Sequence, residues 1–337
     1  MKVIIDVGHP AHVNLYKNFV SKLDNENIDC IISVLDRGKV VQIAKKEFPG
    51  KKIYIVGKHK GTFLSIIFQA NIFKFFKLLR IVIKERPSIG FGTGYLLGAA
   101  MLIFNKKCYQ FDDDPERKFV VFLEKTLSTK VFFPPIIDFT DRKIRVFNAL
   151  KEWAYLSPDY FNQNIDVVKK YNVEPKNYIF IREVSSSSLN YSDQEEGVVL
   201  SISNLIPNHY KVILSLENKN LINKYPNNWT ILEEPVSDIH SLMFYSRVVI
   251  SSGDSMAREG AMLGVPSVYC GFREMRANKL LIDEGILFKV EPKNVPESVI
   301  TLFSNEIFVK DQNTFRNILN NRWINVPEFM YKLLQIK

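Results

Sequence analysis

The sequence predicts an α/β protein made of two successive parallel-sheet domains. Three observations lead there. Short β-branched runs alternate with longer amphipathic stretches over residues 3–111, a second such series follows a polar stretch at 159–175, and 337 residues with 46% hydrophobic content suffice for two cores.

Runs 3–7, 30–35 and 53–56 read as strands, with helices at 14–23 and 40–48 between them, the βαβ rhythm of a parallel sheet. The N-terminus meets Asp6 and then Gly8-His9-Pro10 before any signal-peptide core can form, so it is expected to be the first buried strand. Gly90, Gly92 and Gly94 precede an apolar run, which makes 89–102 a strand, turn and helix, and 107–111 a further strand. The polar stretch ends in Val173-Glu174-Pro175 ahead of a strand at 178–182, which sets the first domain at 1–172. Strands at 197–201, 211–215, 229–232, 248–251 and 267–269, with helices at 240–246 and 254–263, fill a second domain at 173–311. Residues 312–337 are expected to form a helical segment, interrupted near Pro327, that packs back on the first domain.

Composition narrows the function classes. Cys30, Cys108 and Cys270 lie far apart, so neither a disulfide framework nor a zinc knuckle is expected, and a reducing cytoplasm fits. A net charge of +9 favours an anionic partner. No nucleic-acid-binding motif accompanies it, so nucleic acid is not the expected partner.

The strongest local signal is the run Val248 to Glu259, a buried strand entering a small polar turn and then a helix. Backbone N–H groups at a helix start lack intrahelical acceptors and sit at the positive end of the dipole, so a diphosphate can bind there. Gly253 allows close approach, Ser252, Asp254, Ser255 and Met256 surround the turn, and Glu259 can accept from ribose hydroxyls. Equally, Ser252 or Asp254 can simply cap the helix. Arg182, at the end of strand 178–182, can pair with a phosphate, and the serines after it can donate or merely form a linker.

In the first domain, the turn Gly8-His9-Pro10-Ala11-His12 stands where an open α/β sheet places its ligand. His9 or His12 can act as general base on an acceptor hydroxyl, or cap the next helix. Asp112-Asp113-Asp114 puts three carboxylates at the sheet's edge, where Asp112 and Asp114 can serve acid/base steps, or one can cap a helix beginning at Pro115. Two histidines three apart supply too few ligands for a metal, and no metal site is expected. Gly90-Phe91-Gly92-Thr93-Gly94-Tyr95 departs from the dinucleotide fingerprint and lacks a P-loop lysine. The stretch from Phe63 to Lys84 mixes phenylalanine with lysine and arginine; it can lie on an anionic membrane surface or be an ordinary helix with a solvated basic face.

Extended through Leu263-Gly264-Val265-Pro266 to Asn278, the Gly253 and Glu259 segment resembles the sugar-nucleotide signature of the GT-B superfamily. Nearly the whole chain is similar to the domain of unknown function 354 family, on Gly8-His9-Pro10-Ala11-His12-Val13, Lys151-Glu152-Trp153-Ala154-Tyr155-Leu156, Arg182-Glu183-Val184-Ser185, Gly253-Asp254-Ser255-Met256 and Glu259-Gly260-Ala261-Met262. Arg258 departs from the superfamily pattern, as does the missing Gln shortly before Asn278. The resemblance implies a GT-B-like fold, two Rossmann-like domains facing across a cleft. It further implies a glycosyltransferase without metal or separate cofactor, moving a sugar from a UDP-linked donor to a cell-surface glycan or lipid-linked acceptor. Arg182, Ser252, Gly253, Asp254, Ser255, Met256, Glu259 and Asn278 would hold the donor, and the glycine-rich turn at Gly90 would face the acceptor. The expected location is cytoplasmic, at the inner face of the membrane. A sugar-nucleotide 2-epimerase using the Asp112 cluster is the alternative, and a non-catalytic nucleotide-sugar-binding subunit a second.

Overall fold

The computed structural model describes residues 1–58, 71–186, 191, 194–206, 208–233, 236, 238–291 and 311–335. The chain divides into two compact units, Met1–Tyr160 with Asn320–Lys337, and Phe161–Leu319. Each is a Rossmann-like layered α/β unit around one parallel sheet.

In the first unit β1 (Lys2–Val7), β2 (Asp29–Asp36), β3 (Lys52–Lys58), β4 (Ile89–Gly92), β5 (Lys107–Phe111), β6 (Lys130–Phe133) and β7 (Ile144–Val146) pair in the order β3-β2-β1-β4-β5-β6-β7. Val3, Ile4, Ile5 and Val7 are fully buried, as a strand covered on both faces requires. Helix α1 (Pro10–Asn25) begins at Pro10 rather than at 14, because extended His9 caps it and Pro10 already has the backbone angle of a first helical residue. The chain runs outward from β1 to β3 and then returns to the other side of β1. Right-handed crossovers therefore put α1 and α2 (Val40–Glu47) on one face, and α4 (Tyr95–Leu102) and α5 (Lys118–Leu127) on the other. Helix α3 (Lys74–Glu85) packs beside α4, and α4 beside α5. The short α6 (Trp153–Leu156) and the helix Val326–Lys332 pack on α1, where Phe329 meets the rings of Phe111, Phe132 and Phe147.

The second unit pairs β8 (Tyr178–Glu183), β9 (Lys211–Leu216), β10 (Thr230–Ile231), β11 (Val248–Ser251), β12 (Ser267–Tyr269) and β13 (Leu287–Lys289) in the order β10-β9-β8-β11-β12-β13. Its described helices include α7 (Ile165–Lys169), α8 (Ile239–Tyr245), α9 (Asp254–Met262) and α10 (Arg276–Asp283). Helix α9 lies close on the sheet because Gly260 has no side chain: a Cβ there would meet Ser267 Oγ at 2.5 Å and Val249 Cβ at 2.9 Å. Gly264 ends the helix at φ +75°, the left-handed position that glycine fills without strain.

The expected strand at 197–201 is instead part of a 3-10 helix, Val199–Leu205. Its Val199 and Ile202 enter the core three residues apart, one 3-10 turn, with extended Ile206 following the helix into the same core, and their β-branched character masks this in sequence. Among the described strands and α-helices, β6, β7, α6, α7, α10 and β13 carry no sequence-level prediction, and α5 begins at Lys118 where the sequence offers a start at Pro115. Each is short, and β6, β7 and β13 are pairings that only neighbouring strands create. Of the stretch from Phe63 to Lys84, residues 63–70 lie outside the described residues, and α3 begins at Lys74. Among the described residues no helix is long and apolar enough to cross a membrane.

Candidate functional site

Each sheet reverses its strand order once, between β1 and β4 in the first unit and between β8 and β11 in the second. Loops leaving the carboxyl ends of these strands diverge there and open a crevice, the general ligand position of such sheets.

In the second unit, the parallel pairing of β8 with β11 sets Arg182 beside Ser251 and so gathers Glu183, Val184, Ser252, Gly253 and Asp254 at one edge. The centre of this edge is Glu183, a residue the sequence analysis assigns no role. Its buried carboxylate accepts from Ser252 Oγ at 2.8 Å, from the Val199 amide at 2.7 Å and from Tyr225 Oη at 3.0 Å. Burial pushes this carboxyl up, while the three donors pull it down. Ser252 also accepts from the Val184 amide at 3.0 Å, so its hydroxyl ties the two strand ends together.

Gly253 is the N-cap of α9, in an extended conformation, and supplies no capping side chain. Its amide donates to Ser251 Oγ at 3.0 Å, and a Cβ at this position would meet Val184 Cγ1 at 2.6 Å. Absence of a side chain here brings the helix start against the β8 loop. Ser255 and Met256 are half-buried in the first turn, whose amides have no intrahelical acceptors by helix geometry. Asp254 is buried and accepts from Tyr191 Oη, while Arg258 Nη1 and Arg273 Nη1 each lie 3.4 Å from its Oδ2. Arg258, itself buried, donates to Asn278 Oδ1 at 3.0 Å. The departure at Arg258 thus has a structural partner set: Asp254 on its own helix and Asn278 on α10.

Arg182 runs toward β9, donating to Ser215 Oγ at 2.8 Å and Glu217 Oε2 at 3.0 Å. Glu259 lies one helical turn further into α9, with His240 Nε2 of α8 at 3.4 Å from its Oε2. His240 stands in the helix expected at 240–246 but is not among the site residues predicted there. Its sequence signal was faint, since the pairing comes from α8 packing on α9.

In the first unit, His9 Nδ1 accepts from the Ala11 amide at 3.3 Å as the N-cap of α1. His12 Nδ1 accepts from the Gly8 amide at 3.2 Å and lies 2.7 Å from Thr93 Oγ1, beyond β4. Burial, reinforced by Lys151, holds the His12 imidazole well below its usual pKa of 6.5, so the ring is neutral near pH 7. A neutral ring that accepts at Nδ1 carries its proton on Nε2, and that of His12 also lies close to Thr93 Oγ1, at 3.1 Å. Beneath the turn, buried Asp6 accepts from Ser33 Oγ at 2.8 Å and pairs with Lys74 Nζ at 2.7 Å.

The carboxylates after β5 are strongly engaged. Asp112 Oδ1 accepts from the Asp113 and Asp114 amides and from Arg117 Nη2 at 3.0 Å. Asp114 pairs with Arg117 Nε at 3.0 Å and Asp113 with Lys151 at 2.6 Å. No group of three His, Cys, Asp or Glu among the described residues could hold a metal ion. Glu124 of α5 is fully buried beside Asp112. Burial first, and then the Asp112 charge, raises its carboxyl well above 4.5. The sign for stability follows: above pH 4.5 the unfolded chain releases this proton while the folded chain keeps it, so stability falls as pH rises. Glu124→Gln is expected to remove that loss, with a gain in urea midpoint over the wild type that grows from pH 5 to pH 8. A gain independent of pH would count against a protonated Glu124.

A family model described as "Protein of unknown function (DUF354)" matches residues 124–320. Over 300 residues the chain is 23% identical to an uncharacterized protein of Methanocaldococcus jannaschii, covering 84% of this chain and 86% of that protein. Two solved structures superpose over both units. The UDP-GlcNAc 2-epimerase from Methanocaldococcus jannaschii, in complex with UDP-GlcNAc and UDP, gives a TM-score of 0.73 at 15% identity, covering 99% of each chain. The glycosyltransferase VinC, in complex with dTDP, gives 0.66 at 12% identity, again covering 99% of each chain. Two Rossmann-like units with seven- and six-stranded parallel sheets match these GT-B neighbours, and at such identities the likeness is one of fold.

Proposed function

The chain belongs to the DUF354 family, and from that premise we propose that it is a sugar-nucleotide enzyme of the GT-B fold, binding a UDP-linked sugar at the start of α9 and transferring the sugar to a glycan or lipid-linked acceptor. The observation that carries this is the helix start itself: a switch-point helix with a glycine N-cap and no side-chain cap, its first-turn amides beside half-buried Ser255 and Met256. In this reading Gly253, Ser255 and Met256 donate to the diphosphate, and Glu259, held by His240, accepts from the ribose. Ser252, Asp254 and Asn278 keep the turn and helix in place, and Arg182 stands beside the leaving diphosphate. Preorganised donors of this kind stabilise a departing diphosphate without a metal. Nucleotide-bound neighbours on the same fold support the donor class.

For the acceptor, His9 takes the proton, because it is the exposed ring and its 3.3 Å cap bond breaks at small cost. His12, fixed between Gly8 and Thr93, holds this turn in place. Asp112 and Asp114 remain the acid/base candidates for the second reading, a 2-epimerase.

The test begins with thermal shifts. UDP-GlcNAc, UDP, and dTDP are each added to the full chain, and at about a hundred times Kd a ligand of the folded state adds roughly 2.7 kcal/mol of stability. No shift with any of them sinks the reading. Incubation of UDP-GlcNAc alone in deuterium oxide then separates the two chemistries, since deuterium at C2 belongs to the epimerase. His9→Asn keeps an N-cap oxygen but no base, so turnover retained in this variant would assign His9 to capping alone.

A further inference from the structure

Three adjoining helices of the first unit carry apolar side chains on the wrong face. Helix α3 buries Leu78, Ile81 and Val82 against the sheet, yet Phe76 is 61% exposed and Ile83, two turns later on the same outer face, 56%. Helix α5 buries Val121 and Glu124 and leaves Phe119 and Phe122, one turn apart, 72% and 60% exposed. Between them α4 runs into Ile103, 59% exposed. Since α4 packs against both neighbours, the three outer faces adjoin. Scattered exposed apolar residues need no explanation, but large exposed apolar side chains recurring across three successively packed helices do.

The charge around this face is mostly basic, with exposed Glu116 ahead of α5 as an acidic exception. Arg80, Lys84, Lys106 and Lys118 are exposed on it or at its rim. The three helices contain two acidic residues: Glu85, engaged by Lys2 and Lys52, and fully buried Glu124. We propose that the outer face of α3, α4 and α5 docks on an anionic lipid bilayer, its phenylalanines entering the boundary between headgroups and acyl chains and its basic residues meeting lipid phosphates. Charge complementarity decides for this occupant over a second copy of the chain, whose identical basic rim would repel. The inference goes beyond the sugar-nucleotide reading and stands without it.

The experiment is flotation of the full chain with vesicles of phosphatidylcholine containing phosphatidylglycerol, and with phosphatidylcholine alone. Binding to the anionic vesicles is expected to be about tenfold or more stronger, and to weaken with salt. The triple variant Phe76→Ser, Phe119→Ser, Phe122→Ser is expected to lose that binding at an unchanged melting temperature. Arg80→Glu with Lys84→Glu and Lys118→Glu is expected to lower it about a hundredfold. Absence of flotation, equal flotation on both vesicles, or wild-type flotation of the phenylalanine variant overturns the proposal. So does sedimentation velocity showing a wild-type dimer that the phenylalanine variant converts to monomers, because the face is then an interface between copies.

Discussion

Glu183→Ala is expected to lower the unfolding free energy by roughly 4 kcal/mol, read as a reduced urea midpoint at unchanged slope. The carboxylate accepts from the Val199 amide, Ser252 Oγ and Tyr225 Oη, all buried, and each stranded donor costs roughly 1–3 kcal/mol. Solvent cannot easily repair the loss, because the three donors come from the 3-10 helix after β8, the turn after β11 and the core side of the sheet. Glu183→Gln keeps one acceptor oxygen, and its expected cost is about half as large. A loss below about 1 kcal/mol in the alanine variant would show that Glu183 is not the hub of this edge. Because Ser252 joins the β8 and β11 ends through Glu183, the same variant is also expected to blunt any thermal shift produced by UDP-GlcNAc.

Arg258→Met is the second large effect, a loss of about 3 kcal/mol, since it leaves the buried Asp254 carboxylate to Tyr191 and to Arg273, equally near at 3.4 Å but more exposed to solvent. Adding Asp254→Asn to the same chain is expected to recover most of that loss, because removing both charges ends the desolvation penalty along with the attraction. A double-mutant cycle on the two positions should therefore give a coupling energy of about 1–3 kcal/mol; strict additivity would mean that the guanidinium acts through packing and Asn278 alone. The pair also bears on binding. Asp254 sits in the first turn of α9, where an uncompensated carboxylate would repel a diphosphate, and Arg258 offsets that charge from within the helix.

Much of the fold was legible in the chain. Alternating β-branched and amphipathic runs marked β1, β2, β5, β11 and β12 to within a residue or so, since buried parallel strands need continuous apolar runs whatever their neighbours. The 3-10 helix Val199–Leu205 was not legible, because β-branched Val199 and Ile202 satisfy a strand propensity and a 3-10 packing at once. Glu124 was hidden for a related reason: one acid on an apolar helix stripe looks like a solvated position until the sheet covers it.

The sequence by itself determined which runs are strands and which small residues occupy the helix start at Gly253, because turn and strand propensities are local, while the strand order that places this start at a switch point came from the pairing. The tertiary structure alone decided what each polar side chain there does. Glu183, His240 and Arg258 acquire their partners only when β8 pairs with β11, α8 packs on α9, and α9 lies beside α10. Such pairings join residues 19 to 69 positions apart, and the lost entropy of holding them together is offset only by burial of the whole core.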